Sequence, residues 1–128
     1  MRRLPVCIFG IVLCLQVSCI KHNSKPYDES KVLDKTYINI RFTDDRGIKD
    51  KNGVIYYVEK DLQTLTAYEN NNTKWKSNII DVCGKPYMGE PKITSIKLND
   101  SLLWVVFGQH SFASVNIKNG NTIFEGQD

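Results

Sequence analysis

VIYYVEKDLQTLTAYENNNTKW, from Val54 to Trp75, is the segment from which the architecture of the whole chain can be predicted. Val54–Val58 consists of β-branched and aromatic residues, which pack well on a pleated surface and therefore indicate a strand. Thr64–Glu69 alternates between two faces, as expected of a second strand. Asn70–Asn72 supplies residues that tolerate a left-handed backbone, so the chain turns there and leaves through Thr73–Ile80. The segment therefore predicts a three-stranded antiparallel meander.

The second half of the chain repeats this pattern at an offset of about 48 residues, which falls in the range of propeller blades. Leu102–Phe107 is continuously apolar and predicts an interior strand that is buried on both faces. The alternating segment Lys92–Leu98 precedes it, and Ser111–Ile117 and Thr122–Glu125 follow. Lys118–Asn121 contains the residues of a hairpin turn. The second half therefore predicts a meander of four strands.

Two further segments complete the predicted organisation. Thr36–Thr43 alternates between apolar and polar residues and predicts a first strand. Asp81–Pro91 contains two prolines and two glycines, cannot continue a sheet, and therefore links two halves. We predict a single all-β domain over residues 36–128. In it, two four-stranded antiparallel blade-like meanders (36–81 and 92–126) pack together as a partial propeller or a sandwich.

Two segments at equivalent places in the halves share a motif. The first is Leu65-Thr-Ala-Tyr-Glu69, followed by the asparagine turn and Trp75; the second is Phe112-Ala-Ser-Val-Asn116, followed by the Lys118–Gly120 turn and Phe124. They resemble the repeat of quinoprotein-type β-propellers, in which a Leu-x-Ala-Leu-Asp strand leads through a Lys-Thr-Gly turn into a strand that bears Trp. The second copy departs from that pattern in having Ser, Asn and Phe for Ala, Asp and Trp. The resemblance implies a blade-like topology. Because two such units cannot close a ring around a quinone, it implies no cofactor and no cofactor-binding residue.

The first 18 residues have the composition of a targeting segment. Two arginines are followed by Leu4–Val17, an apolar stretch that is too short for a membrane-spanning helix. It ends at Ser18-Cys19, a small residue before a cysteine, and so resembles a bacterial lipoprotein processing site. The resemblance implies that residues 1–18 are removed and that Cys19 carries lipid, which anchors the protein to a membrane of the cell envelope. Ordinary secretion with cleavage near Cys19 is the alternative.

The charge balance changes when this segment is removed. The whole chain has 17 Lys and Arg against 14 Asp and Glu, a formal net charge of +3. Without Arg2 and Arg3, 15 basic side chains face 14 acidic ones and the net charge falls to +1. Nothing in the sequence forms the dense basic footprint of phosphate-backbone binding, so we expect no nucleic-acid partner. Residues 19–35 are mostly polar and predict a tether between the membrane and the domain.

Residue patterns predict neither metal nor catalytic chemistry. Two of the four cysteines lie in the segment that would be removed, and Cys19 would be lipidated. Cys83 is therefore the free thiol of the domain, and we interpret it as a partly buried small hydrophobic residue. His22 and His110 have no metal-ligand spacing with it. His110 neighbours Ser111, but adjacent side chains on a strand point to opposite faces. We therefore predict a protein that is not an enzyme and holds no metal or cofactor.

Two groups of side chains are candidates for binding. The linker Cys83–Pro91 places Tyr87 and Met88 in a connecting loop, and such loops host binding residues more often than the scaffold does. Both residue types are enriched in interface cores, although they would alternatively fold back and cap the open end of the sheets. The second group would stack on sugars but is more often core in so small a domain: Tyr56, Tyr57, Tyr68, Trp75, Trp104 and Phe107.

These observations favour a non-enzymatic envelope lipoprotein that binds another protein, for which a periplasmic immunity or inhibitor protein is one example. The alternative is a carbohydrate-binding accessory module. A hydrolase ranks third, because the sequence lacks paired acids and a nucleophile–base spacing. Exposed aromatic residues in a shallow groove would favour sugar, whereas a contiguous apolar or charged patch would favour a protein partner.

Overall fold

Ten β-strands form two sheets in the computed structural model, which describes residues 24–128. The strands of the first sheet are β1 (Val32–Leu33), β3 (Gly47–Lys49), β4 (Ile55–Val58), β5 (Thr64–Glu69) and β6 (Asn72–Asn78). They lie in the order β1-β3-β4-β5-β6. The last four form an antiparallel meander, and β1 is parallel to β3. The three strands predicted in the segment from Val54 are thus confirmed as β4, β5 and β6.

The second sheet is antiparallel throughout. Its strands are β2 (Tyr37–Asn39), β7 (Ile93–Asn99), β8 (Leu102–Phe107), β9 (Ser111–Asn116) and β10 (Thr122–Gln127). They lie in the order β10-β9-β8-β7-β2. The all-β class is confirmed, and each sheet contains a four-stranded antiparallel meander, although the first one begins with β3 and not with the predicted strand Thr36–Thr43. Each sheet also gains a fifth strand from the N-terminal part of the chain, β1 in the first sheet and β2 in the second.

The predicted strand Thr36–Thr43 is shorter than expected and lies in the other sheet. β2 ends at Asn39, whose side-chain oxygen accepts a hydrogen bond from the Arg41 N–H at 3.1 Å. A 3-10 turn over Ile40–Phe42 follows. The asparagine cap explains the break, because such a side chain offers the backbone a local alternative to the sheet ladder. β2 pairs with β7, so it belongs to the second sheet and not to the first repeat.

Part of the predicted tether belongs to the folded domain. A 3-10 turn over Glu29–Lys31 leads directly into β1, which pairs with β3 through Val32 and Leu33. The Asp28 carboxylate caps this turn by accepting hydrogen bonds from the N–H and the hydroxyl of Ser30, at 3.1 and 2.6 Å. The remainder of the tether, before residue 24, and the predicted signal segment lie outside the described residues.

The outer face of the first sheet explains why the N-terminal segment is ordered. Ile55, Tyr57 and Tyr68 project from that face and form a small apolar cluster with the segment. The ring of Tyr27 lies 5.9 Å from that of Tyr57 and 5.2 Å from that of Tyr68, measured between centroids. Burial, together with a 2.6 Å hydrogen bond to Glu59, raises the pKa of Tyr68 to about 12. This face is therefore sealed by the chain itself.

The main core lies between the two sheets. Both inner faces contribute fully buried side chains, which include Ile48, Val58, Leu65 and Ala67 from the first sheet, and Ile96, Leu103, Val105, Ala113 and Val115 from the second. Trp75 of β6 joins the sheets at one edge, because its Nε1 donates a hydrogen bond to the Ile117 carbonyl at 2.8 Å. The short helix α1 (Ile79–Cys83) follows β6 and packs against β10. Residues 24–128 thus contain both sheets and the core between them.

The strand Leu102–Phe107 is interior in its sheet but not buried on both faces. β8 lies between β7 and β9, as predicted. Leu103, Val105 and Phe107 face the core, whereas Leu102 and Trp104 point outward and are exposed. The expectation of burial on both faces was wrong, because no described segment lies over this side of the second sheet.

Candidate interaction site

The loop between α1 and β7, residues 84–92, is fixed to the turn between β8 and β9. The Gln109 N–H donates to the Met88 carbonyl at 2.9 Å, and the Gly108 N–H donates to the carbonyl of the loop's last residue at 2.9 Å. Gly108 has a φ of +62°, and a Cβ there would overlap Pro86 and stand 2.7 Å from the Met88 carbonyl oxygen. Only glycine accommodates this close approach. The backbone of the loop is therefore held in one position on the surface.

The two residues predicted for interaction project from this fixed loop. Tyr87 is 79% exposed and Met88 is 47% exposed, so neither side chain folds back to seal the end of the sheets. A side chain on an ordered backbone loses less conformational freedom on binding than one on a mobile loop. The loop therefore presents a large amphipathic ring and an adaptable thioether at a low entropic cost.

A groove of about 770 Å³ opens beside the loop, and we call it the end groove. It lies between residues 89–94, the turn after β8 and the 3-10 turn after β2. Its floor is apolar and consists of Ile40, Leu62 and Ile93. Phe42 stands at its rim and is 78% exposed. The groove and the Tyr87–Met88 loop therefore occupy the same end of the molecule.

Three cations and two carboxylates line the end groove. Lys92 and Glu90 pair with each other, with 3.0 Å between nitrogen and oxygen. Arg46 is held differently, because its Nη1 donates to two backbone carbonyls of the preceding loop at 2.8 and 3.0 Å. Within residues 24–128, no carboxylate lies within 4.0 Å of the guanidinium of Arg41 or Arg46. Asp44, the second carboxylate, is exposed. The groove therefore contains positive charge that has no ion-pair partner in the described part of the protein.

The outer face of the second sheet is a separate exposed surface. Tyr37, Lys97 and Trp104 are cross-strand neighbours on β2, β7 and β8 and form one row across it. Trp104 is 43% exposed, and Leu102 and Ile123 are exposed on the same face. Its counterpart on the first sheet is covered by the N-terminal segment, but this face is open. It is the one place where an aromatic residue considered for sugar stacking remains accessible.

The other aromatic residues of that group are buried. Tyr56, Trp75 and Phe107 belong to the main core, and Tyr57 and Tyr68 lie under the N-terminal segment. The expectation that they serve mainly as core is confirmed for five of the six residues, Trp104 being the exception. Exposure on a sheet face depends on what covers the face, which the local sequence does not encode.

The remaining residues considered from the sequence do not form a site. Cys83 is half-buried at the end of α1, where burial raises the pKa of its thiol and so disfavours the reactive thiolate. His110 is exposed while Ser111 is buried, so the two side chains point apart. Among residues 24–128, no group of three or more His, Cys, Asp or Glu side chains is placed to hold a metal ion. Cys19 and His22 lie outside the described residues.

Sequence patterns did not indicate the end groove. Phe42 continues the alternation of Ile38 and Ile40, a pattern that predicts a strand through Thr43. It is exposed because the chain leaves the sheet after Asn39. The groove gathers residues from three segments that are distant in sequence, and each of its charged residues taken alone looks like ordinary solvated charge. The one local signal is the Asn39 cap, which brings Arg41 and Phe42 to the end of the sandwich.

No family model, curated protein or solved structure matches the chain. The likenesses to quinoprotein-type repeats and to a lipoprotein processing site therefore rest on the residues quoted above. In the part of the chain that the structure describes, no helix is long and apolar enough to cross a membrane.

Proposed function

We propose that the protein is a non-enzymatic lipoprotein of the bacterial cell envelope that binds another protein through the Tyr87–Met88 loop and the end groove. The observation that carries the proposal is the exposure of Tyr87 and Met88 on a backbone fixed by the Gly108 contact. Large apolar side chains presented rigidly beside a charged groove are typical of the centre and rim of a protein interface.

Membrane attachment through Cys19 is the second part of the proposal. Its support is the short apolar core that ends in Ser18-Cys19. An anchored module that binds another protein and covers it fits an immunity-like or inhibitor-like role. In such a role the contact with the partner is itself the function, so the protein needs no catalytic group of its own.

Replacing Cys19 with Ala is expected to abolish lipid incorporation. The cysteine sulfur is the atom that would carry the lipid, and alanine has none. Cells expressing either form are labelled with a fatty-acid analogue, and the label on the protein is measured after purification. Cys83→Ala is the matched control and should be labelled like the parent. Equal labelling of the Cys19→Ala variant would contradict lipidation at this residue.

The double variant Tyr87→Ala with Met88→Ala is expected to melt like the parent and to lose its partner. The side chains are exposed, so truncation removes few internal contacts and changes the free energy of unfolding by about 0.5 kcal/mol or less. Interface anchors of these types cost about 2 kcal/mol or more when truncated, which lowers affinity about 30-fold. Partner capture from envelope extracts and the melting temperature are measured for both forms.

The control for this experiment is Val82→Ala, which truncates another exposed apolar side chain close to the loop. It should leave both capture and melting temperature unchanged. A lower melting temperature of the double variant with capture retained would show that Tyr87 and Met88 stabilise the fold and do not bind.

The second candidate function is carbohydrate binding on the outer face of the second sheet. The row of Tyr37, Lys97 and Trp104 favours it, because two exposed aromatic rings flank a hydrogen-bond donor on a sheet surface. Trp104→Ala separates the two functions. If it abolishes capture while the Tyr87 and Met88 double variant does not, the functional surface is the sheet face.

A further inference from the structure

We propose that the end groove receives an acidic side chain of the partner protein, with a neighbouring apolar side chain of the partner packed on the groove floor. This inference rests on the proposed protein-binding function and specifies the chemistry of the partner. The charge of the groove, its floor and its size each support the proposal.

The position of Arg46 is the strongest of these observations. One nitrogen of its guanidinium is occupied by the carbonyls of Thr43 and Asp45, at 3.0 and 2.8 Å. These bonds fix the plane of the group without neutralising its charge, because both acceptors are backbone oxygens. The other guanidinium nitrogens retain their donors. A planar, pre-positioned guanidinium is the side chain that best matches a carboxylate.

The neighbouring charges strengthen this preference. Arg41 also lines the groove, and its guanidinium carbon lies 5.4 Å from the centre of the Phe42 ring, so an aromatic surface holds the cation near the rim. Lys92 balances Glu90 across a 3.0 Å ion pair, so that pair adds no net charge to the groove. The charged side chains that line the groove outside this pair are the two arginines and the exposed Asp44. The side chains that line the groove therefore carry a net charge of +1, which favours an anion over a cation.

The floor and the volume define the rest of the ligand. Ile40 and Ile93 are buried under the groove and Leu62 is half-buried, so together with the exposed Phe42 ring they form an apolar lining beside the arginines. Such a lining suits an apolar side chain next to the carboxylate. A volume of about 770 Å³ holds a few side chains and not a folded domain. The ligand is therefore a short protruding segment in which an aspartate or glutamate stands beside an apolar residue. The fixed loop with Tyr87 and Met88 would contact the same partner next to it.

Capped peptides test this chemistry directly. The probe is acetyl-Leu-Glu-Phe-amide, compared with acetyl-Leu-Gln-Phe-amide, which has the same shape and no charge. The chain from residue 20 onward contains both sheets and the core, and its cooperative melting is verified first. Binding is followed by the shifts of backbone amide NMR signals. The Glu peptide is expected to shift the signals of residues 40–46, 89–94 and 108–109 and to bind about tenfold more tightly than the Gln peptide.

Substitutions locate the effect. Arg46→Gln is expected to remove the tenfold preference for the Glu peptide. Arg41→Gln changes an exposed side chain with no structural hydrogen bond among the described residues, and it should reduce the preference even if Arg46→Gln fails to fold. Lys118→Gln removes the same charge from an exposed turn at another place and should leave the preference intact. Added salt should lower the affinity of the Glu peptide more than the affinity of the Gln peptide, because salt screens the interaction between charges.

Three results would overturn the inference. Equal affinity of the two peptides would show that the charge is not recognised, and the absence of shifts with either peptide at millimolar concentration would show that the groove does not bind such segments. Binding of acetyl-Leu-Gln-Phe with a free terminal carboxylate, without binding of the Glu peptide, would assign the groove to a chain end. Failure here is distinguishable from failure of the proposed function, because partner capture that depends on Tyr87 and Met88 would still be observed.

Discussion

Val105→Asp is expected to abolish soluble, folded protein. Val105 is 1% exposed in the middle of β8, packed among core residues of both sheets, and no cation faces it there. The substitution loses about 1.5–3 kcal/mol of apolar burial and leaves a charge buried without a partner, which costs several kcal/mol more. The free energy of unfolding of a domain of this size is about 5–15 kcal/mol, so the two losses together remove most of it. Soluble yield and the cooperativity of melting are the measurements.

Leu102→Asp provides the matched control for this variant. Leu102 lies on the same strand but points to the open outer face, where the new carboxylate would be solvated. We expect a loss of about 1 kcal/mol or less and normal soluble yield. Equal behaviour of the two variants would contradict the assignment of the two faces of β8.

Trp75→Ala is expected to lower the free energy of unfolding by about 3–5 kcal/mol, as for other buried large aromatic residues. Trp75 contributes at three points. Its ring lies 6.2 Å from that of Tyr56 between centroids, its Nε1 donates to the Ile117 carbonyl at 2.8 Å, and its face packs on Gly120 so closely that a Cβ there would stand 2.8 Å from the ring. The melting temperature should fall by more than about 12 °C.

Two further variants resolve this effect. Trp75→Phe keeps an aromatic ring but leaves the Ile117 carbonyl without its donor, so a smaller loss of about 1–2 kcal/mol is expected. Trp104→Ala makes the same truncation on the exposed face of β8 and should cost about 1 kcal/mol. Comparable losses for Trp75→Ala and Trp104→Ala would show that Trp75 does not hold the sheets together.

The strands and turns of the two meanders, with the exception of β3, could be predicted because their signals are local. Asn70 and Asn71 have φ values of 53° and 64°, the left-handed backbone that asparagine tolerates, and they connect β5 to β6 as expected. Gly120 has a positive φ in the predicted hairpin turn between β9 and β10. Alternation in Thr64–Glu69 and Ser111–Ile117 likewise reflects the two faces of a sheet.

The pairing of the N-terminal strands could not be predicted, because it depends on distant residues. Nothing near Tyr37–Asn39 indicates that its neighbour is β7. The sequence around Tyr27 likewise does not indicate that this residue packs on Tyr57 and Tyr68. The same limit applies to the site. The exposed loop of Tyr87 and Met88 could be predicted because prolines and glycines mark it, whereas the end groove exists only once three separate segments meet.

The route of the chain through β1, β2 and β3 also determines the order in which the protein can assemble. The chain enters the first sheet at β1, crosses to the second sheet at β2 and returns at β3. A polypeptide that emerges from a ribosome or a translocation channel begins at its N-terminus, so β2 is delivered long before β7, the strand it must pair with. Ile38 of β2 and Ile40, which follows it, are buried in the final structure and cannot reach that state until β7 has been synthesised. The second sheet can therefore be completed only after the C-terminal meander has been synthesised, so the N-terminal strand β2 depends on that meander for its place in the core.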